Sequence, residues 1–443
     1  MGSCIRWWTL LESESEIRMI NLLINKLKGF NEIKDYRIIH NKEKRNEIYY
    51  IGDKVETVRD VNISSTYNVT VYCDFNDQRG FANFTVFSSN TNEEIDSKIK
   101  DAITRTKFSK NKYFDLPKGE YKVFGSSLDK HDPSLVFKIG DTIIDAAKGY
   151  DDGWLSSFEV FINQKEVNIV NSKGVNYTYF TNSIFLEIIP TFRKDGYEIE
   201  LYNALDYEDV DLENIRKDVI ILMRNADLRN NSINYNGPKE IPVILEAKEI
   251  KEIISNLIGN FDYYSVYNNM NMLKLNDLFY GENPLDAPNI SLTPYITNSV
   301  NNVPVDKDGI ILEDTDIVLN NKIISYHGDN TFGYYLNEDK PTGLLPNIYI
   351  EDGTFKEAEL HEKPYLKCLS FSSFQFDIYS GNFGGEVRLA LYFDGSSLLP
   401  VSGITISGNI HELKSHLKFS EVRRNISGYS GPKHVLIESM NVN

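Results

Sequence analysis

Cysteine is scarce in this chain: Cys4, Cys73 and Cys368 are the three in 443 residues. They are far apart, odd in number and never spaced Cys-x-x-Cys. That argues against a disulfide framework and a zinc knuckle, and fits a reducing compartment. Basic charge is short as well: 47 Lys and Arg stand against 64 Asp and Glu, a net charge of −17. Nucleic acid is a polyanion that needs a basic footprint. The best candidate, RTKFSKNK at 105–112, is a short island in an acidic chain, so no nucleic-acid partner is expected. Long apolar runs are missing too. Nothing approaches the roughly 18 residues that read as a membrane-spanning helix. The opening MGSCIRWWTLLESES holds no apolar core long enough for a signal peptide, and Arg6 stands where a myristoylation signal wants Ser or Thr. The expectation is a cytoplasmic chain with no membrane partner. Neither a G-x-S-x-G elbow nor a Walker A loop occurs.

What is present is an ordinary globular composition, 41% apolar and 25% charged. The length allows two or three domains with proper cores. The 27 Tyr and 24 Phe point to a β-rich chain. Helical spacing of Ile17, Ile20, Leu22, Leu23 and Leu27, ended by Gly29, predicts a helix over 13–29. YNVTVYCDF and GFANFTVFSS read as a strand pair joined by a turn-rich loop, and 92–105 as an amphipathic helix with an acidic first turn. Region 106–155 is poorly periodic, apart from a helix around DTIIDAAKG. From 157 the alternation of apolar and polar residues predicts three strands, with Asn171-Ser172-Lys173-Gly174 as the first turn. A helix follows in the later part of 201–227, then the strand IPVILEA running into the helix KEIKEIISNLIGN. Residues 275–345 read as irregular and loop-rich. Strands and tight turns follow, then a helix over IHELKSHLKF and a terminal strand HVLIESMNV. The predicted class is α+β, with N-terminal helices packed on an antiparallel sheet in 1–220 and a β-dominated C-terminal domain in 221–443.

One stretch carries the letters of a metal site: His411-Glu412-Leu413-Lys414-Ser415-His416. Ligands at i and i+4 share a helix face, but i and i+5 lie about 140° apart. The alternative is a capped surface helix, with Asn409 at the N-cap and Glu412 three residues on. His327 and His434 stand isolated in the sequence and are expected to be structural or exposed.

The C-terminal block is the most informative. Ser380-Gly381-Asn382-Phe383, Asp394-Gly395, Pro400-Val401 and Ser407-Gly408-Asn409 occur in the order of the turns and strands that close the TldD/PmbA family's C-terminal domain. Arg79-Gly80, Asn171-Ser172-Lys173-Gly174, IPVILEAKEIKEII and GPKHVLIESMNV are similar to that family's pieces in the same order, so the resemblance runs from about residue 15 onward. It implies two possible branches. TldD subunits carry a zinc-type metal on a His-Glu-x-x-x-His helix, with a cysteine ligand near the C-terminus. PmbA/TldE subunits lack these residues, and pair with TldD as a peptidase acting on unfolded or leader peptides.

On the corresponding helix this chain has Ser255, Asn256 and Asn260, and its C-terminal segment has no cysteine. A hydroxyl and neutral amides are poor transition-metal ligands, and an amide cannot act as a general base near neutral pH. The resemblance therefore implies a non-catalytic PmbA/TldE-like subunit with no metal of its own. Its partner would be a metal-bearing TldD-like chain, or a second copy in a homodimer, and its substrate a peptide. The turn Ser380, Gly381, Asn382, Phe383, Gly384 is the candidate peptide contact, because paired glycines let backbones approach closely. The same glycines also suit a plain β-turn. Two other readings stay open: a metallopeptidase using His411, Glu412 and His416, and a stand-alone peptide-binding scaffold.

Overall fold

A computed structural model describes residues 16–125 and 132–443. Four long strands organise the first half: Asp35–Ile51, Lys54–Phe75, Gly153–Asn171 and Asn176–Lys194. Together with Gln78–Phe87 and Lys110–Lys112 they form one sheet. On its last edge, Tyr121–Phe124, Tyr197–Glu200 and Asn203–Tyr207 share the strand Asn176–Lys194. The three strands expected after residue 157 are two. The polar run Thr181–Ser183 interrupts the apolar alternation but stays paired with Asn163–Lys165, and the ladder from Val170–Asn176 to Gly153–Phe192 has a single register shift.

Strands this long carry two cores on one face. The helix 16–28 and the helix Asn92–Thr106 bury Leu23, Leu27, Ile95 and Ile99 against Ile38, Val69 and Val86. Further along, Leu135–Ala146 and Leu212–Asn230 bury Ile139, Ile143, Val219 and Met223 against Ile48, Phe158 and Leu186. Residues 41–47 of the strand Asp35–Ile51 pass between the cores and are charged or polar. The helix Asn92–Thr106 starts on a reciprocal cap, in which the Glu94 N–H donates to Thr91 Oγ1 and the Thr91 N–H to Glu94 Oε2. The expected helix start at 13–15, and Cys4, lie outside the described residues.

Residue 220 falls inside the helix Leu212–Asn230, whose buried residues all belong to the N-terminal core. The change of core comes after it: Ile233–Asn234 already pairs with Leu398–Ser402 in the second sheet. There Asn382–Phe393, Tyr365–Phe376, Glu240–Glu246, His434–Val442 and Ile404–Asn409 pair in a closed ring. The helix Ala247–Ile258 packs Ile250, Ile253, Ile254, Leu257 and Ile258 into its core. The stretch read as loop-rich supplies a third sheet, in which Lys322–Ile323, Thr315–Leu319 and Ile290–Thr293 join Asn347–Ile350, Tyr429–Pro432 and Arg423–Ile426. The class is α+β with a β-rich C-terminal domain. No helix among the described residues is long and apolar enough to cross a membrane.

Candidate functional site

The strand Glu240–Glu246 runs directly into the helix Ala247–Ile258, whose apolar positions at 250, 253, 254, 257 and 258 make one buried stripe. Ser255 and Asn256 fall half-buried beside that stripe, and Asn260 lies in the tight turn Gly259–Phe261 that follows. Their polar atoms are already engaged. Asn256 donates to Glu252 O at 2.8 Å and to Glu252 Oε1 at 3.1 Å. Asn260, 5% exposed, donates to Leu257 O and accepts the Met272 N–H. Two amides in such bonds and a hydroxyl do not fit a divalent metal, which wants imidazole, thiolate or carboxylate donors.

The turn Ser380–Gly384 lies close to this helix end. The Ile378 methyl group is 3.4 Å from where a side chain on Gly259 would begin. The turn itself is tied internally. Asp377 accepts the Ser380 hydroxyl at 2.8 Å, Asn409 donates to Ser380 O at 2.9 Å, and the Ile410 N–H donates to Gly381 O at 2.8 Å. Gly381 sits at φ +72, and Gly384 lets its strand approach Ile404–Asn409: a Cβ on it would stand 2.1 Å from Ile406 O. The geometry therefore makes these glycines part of a turn and a close strand pairing.

His411 is the next neighbour, with its ring against Gly381. The helix expected over 410–419 is much shorter: Ile410–Leu413 is helical, Lys414–His416 is a 3-10 turn, and Leu417–Phe419 is a strand. Asn409 does cap it, accepting the His411 N–H at 3.0 Å. His411, Glu412 and His416 are exposed. Among the described residues no group of three or more His, Cys, Asp or Glu side chains is arranged to hold a metal ion.

The sequence reading missed a buried charged network one strand away. His434 is 1% exposed, with Nδ1 2.8 Å from Glu357 Oε2 and Nε2 2.8 Å from Lys367 Nζ. Far from isolated, it is one link in a chain. The Lys367 ammonium donates to Nε2, and Nδ1–H donates to the carboxylate. Burial depresses Lys367, and Glu246 lies 3.9 Å from it. Nearby, Glu249 is buried in the first turn of the helix Ala247–Ile258. Burial pushes its carboxyl up to about 7, with Glu246 adding to the rise. A lone Glu on an apolar helix stripe was the available signal.

The other face of the N-terminal sheet, away from its helices, meets the C-terminal domain. Ile39, Ile169 and Tyr177 form one cross-strand row, and Asn41, Val167 and Tyr179 the next. Val305 and Ile311 pack onto these rows. The covering loop is fixed by Asp306, whose carboxylate accepts the N–H groups of Asp308 and Ile310, both at 2.9 Å. Burial and the neighbouring Asp308 raise the Asp306 carboxyl. Asp308 in turn forms an ion pair with Arg37 on the sheet. Cavities of about 250 and 240 Å³ lie between the sheet and residues 295–307, and Tyr179 lines both.

No curated protein sequence matches the chain. Residues 238–443 match the model of the PmbA/TldA metallopeptidase C-terminal domain. Three crystal structures share the fold over almost the whole length. TldE from Thermococcus kodakarensis has a TM-score of 0.75 at 14% identity, covering 96% of this chain and 99% of that one. A putative modulator of a DNA gyrase from Thermotoga maritima MSB8 has 0.76 at 15%, covering 97% and 100%. A putative modulator of DNA gyrase from Bacteroides thetaiotaomicron VPI-5482 has 0.75 at 13%, covering 96% and 97%. Residues 238–443 are a C-terminal domain of the PmbA/TldD family, and the chain shares the fold of TldE over 96% of its length.

Proposed function

We propose that this chain is a non-catalytic, TldE-like subunit of a cytoplasmic TldD/TldE-type metallopeptidase acting on unfolded or leader peptides. The observation that carries the reading is the helix Ala247–Ile258 with its following turn. At the positions where the resemblance puts metal ligands and a base, it offers Ser255, Asn256 and Asn260, with both amides engaged in hydrogen bonds. The chain would complete a peptide chamber, and a TldD-like partner would supply the zinc-type metal and the hydrolytic step. The cavities between the N-terminal sheet and the 295–307 segment give this subunit concave surface to offer a peptide.

The test is metal content by elemental analysis, for the wild type and a His411→Ala/His416→Ala double variant, with partner capture from the source cell. The expected result is no stoichiometric metal in either protein and co-purification of a metal-bearing TldD-like chain. Stoichiometric zinc that the double variant loses would make this chain a peptidase in its own right. A metal-free homodimer that binds peptides without such a partner would make it a stand-alone scaffold.

A further inference from the structure

Three side chains from three segments of the C-terminal domain line up end to end. Glu357 stands on the short helix Glu357–Leu360, Lys367 on the strand Tyr365–Phe376 and His434 on the terminal strand His434–Val442. His434 Nδ1–H donates to Glu357 Oε2 at 2.8 Å, and that bond fixes the tautomer. Nε2 is therefore the acceptor, and Lys367 Nζ lies 2.8 Å from it. The imidazole is buried, whereas the Lys367, Glu357 and Glu246 side chains are 17%, 32% and 40% exposed, so the chain of bonds reaches solvent at its outer members.

A carboxylate that holds a histidine, and a histidine whose free nitrogen meets a nucleophile, are the parts that activate hydroxyl and thiol nucleophiles. Here the third member is an amine. A simple ion pair would set the lysine directly against a carboxylate. Instead the imidazole stands between Lys367 and Glu357, and Glu246 Oε1 is 3.9 Å from Nζ. An amine attacks only as the neutral base, and Lys367 is pushed toward that form. Burial lowers it and Lys433 adds to the fall, while Glu246 and Glu357 oppose it. His361 is the remaining titratable neighbour, with Nδ1 on the Glu357 carbonyl oxygen.

We propose that Lys367 is an acyl-accepting amine, with His434 as its base and Glu357 as the positioning residue, and that uncharged acyl donors of the thioester class modify it. The ammonium first passes one proton through His434 Nε2 to water. The neutral amine then attacks the carbonyl carbon. The C–N bond forms, the C–S bond breaks, and the thiolate leaves with the bonding pair. The second proton goes from Nζ to His434 Nε2 and on to the thiolate, so the products are an amide on Lys367 and a thiol. Glu357 stabilises the imidazolium at each transfer. Glu246 and Glu357 both act on Nζ, which disfavours an anionic donor such as an acyl phosphate. The amide keeps one N–H for Nε2 and removes the positive charge that both carboxylates face. This chemistry needs neither a metal nor a partner chain, so it stands apart from the subunit reading.

The test is acetylation of the full folded chain by S-acetyl-N-acetylcysteamine, with the rate at each lysine read by peptide mass spectrometry. Lys148 and Lys340, with side chains 69% and 72% exposed, are the internal references. Despite its lower exposure, Lys367 should react at least fivefold faster than either at pH 7.5. Its rate should reach half its limiting value below the ordinary lysine value of about 10.4. His434→Gln leaves an oxygen to accept the Lys367 N–H but takes up no proton. It should slow Lys367 at least fivefold and leave the reference lysines unchanged, with the fold checked by circular dichroism. A merely structural histidine would not produce that selective loss. Lys367 reacting no faster than the references, a half-limiting pH at or above the ordinary lysine value, or an unchanged rate in folded His434→Gln would each overturn the assignment. Should the variant fail to fold, the first two measurements on the unaltered protein decide it.

Discussion

Arg79 donates from Nη2 to Asp35 Oδ2 at 2.8 Å, and both residues are buried. Asp35 Oδ1 accepts the Ser172 hydroxyl at 2.6 Å, and the Arg79 guanidinium lies 4.4 Å over the Tyr113 ring. One carboxylate thus joins two motifs far apart in sequence, Arg79-Gly80 and Asn171–Gly174. Asp74 also holds the guanidinium, accepting from Arg79 Nε at 2.8 Å, so Asp35→Ala leaves Arg79 with one carboxylate and the Ser172 hydroxyl without its acceptor. The loss should be about 2–3 kcal/mol in urea unfolding. A loss under about 1 kcal/mol would show that water reaches Arg79 and the pair contributes little.

His434 sits between a carboxylate and an ammonium, and a side chain that cannot bridge them leaves both short of a partner. His434→Phe should lower stability by about 2 kcal/mol or more. In a double-mutant cycle with Glu357→Gln, the coupling should be well above zero. Additive losses would mean that the two side chains act independently.

Glu249 gives stability a pH dependence of known sign. Its folded value of about 7 lies above the ordinary 4.5 because burial disfavours the charged form. Between these values the folded state holds a proton that the unfolded state has released, so this group's contribution falls as pH rises through the window. Glu249→Gln should therefore stabilise the protein at pH 8 by on the order of 2 kcal/mol and do little at pH 4. Urea midpoints of both proteins at the two pH values decide it. An equal effect at both would remove Glu249 as the titrating group.

The two glycines of the 380–384 turn should respond unequally to substitution. A methyl group on Gly381 meets the exposed His411 ring, which can swing aside, and touches Ile410 Cγ2 at 3.2 Å, so Gly381→Ala should cost about 1–2 kcal/mol, chiefly for its left-handed backbone. On Gly384 the same methyl meets the Ile406 carbonyl at 2.1 Å, which the strand pairing holds in place. Gly384→Ala should then fall among the exceptional losses of about 4 kcal/mol or above. Similar melting temperatures for the two variants would contradict this account.

Much of the fold was legible wherever one element faces one core. The helices Asn92–Thr106 and Ala247–Ile258, the hairpin turning at Asn76-Asp77 and the turn after Asn171 all follow from local spacing. The strand Asp35–Ile51 was not legible. It serves two cores and carries Lys42, Glu43, Lys44 and Arg45 between them, so its alternation is interrupted where the helices leave it uncovered. The family resemblance drew attention to Ser255, Asn256 and Asn260, which depends on residue type and order alone. It gave no indication of the His434–Glu357–Lys367 network, whose members lie on three separate segments.

The sequence by itself determined the class of chain: acidic, cysteine-poor, α+β, with a PmbA/TldD-type C-terminal order of turns and strands. Those properties are set by composition and by contacts between near neighbours. The tertiary structure decided the rest. Strand pairing across more than a hundred residues brings Arg79, Asp35 and Ser172 together. Two segments far apart in sequence, Tyr121–Phe124 and Asn203–Tyr207, pair with the same edge of Asn176–Lys194. A sheet edge belongs to no single segment, because it exists only where partners stop, and local spacing does not encode where they stop.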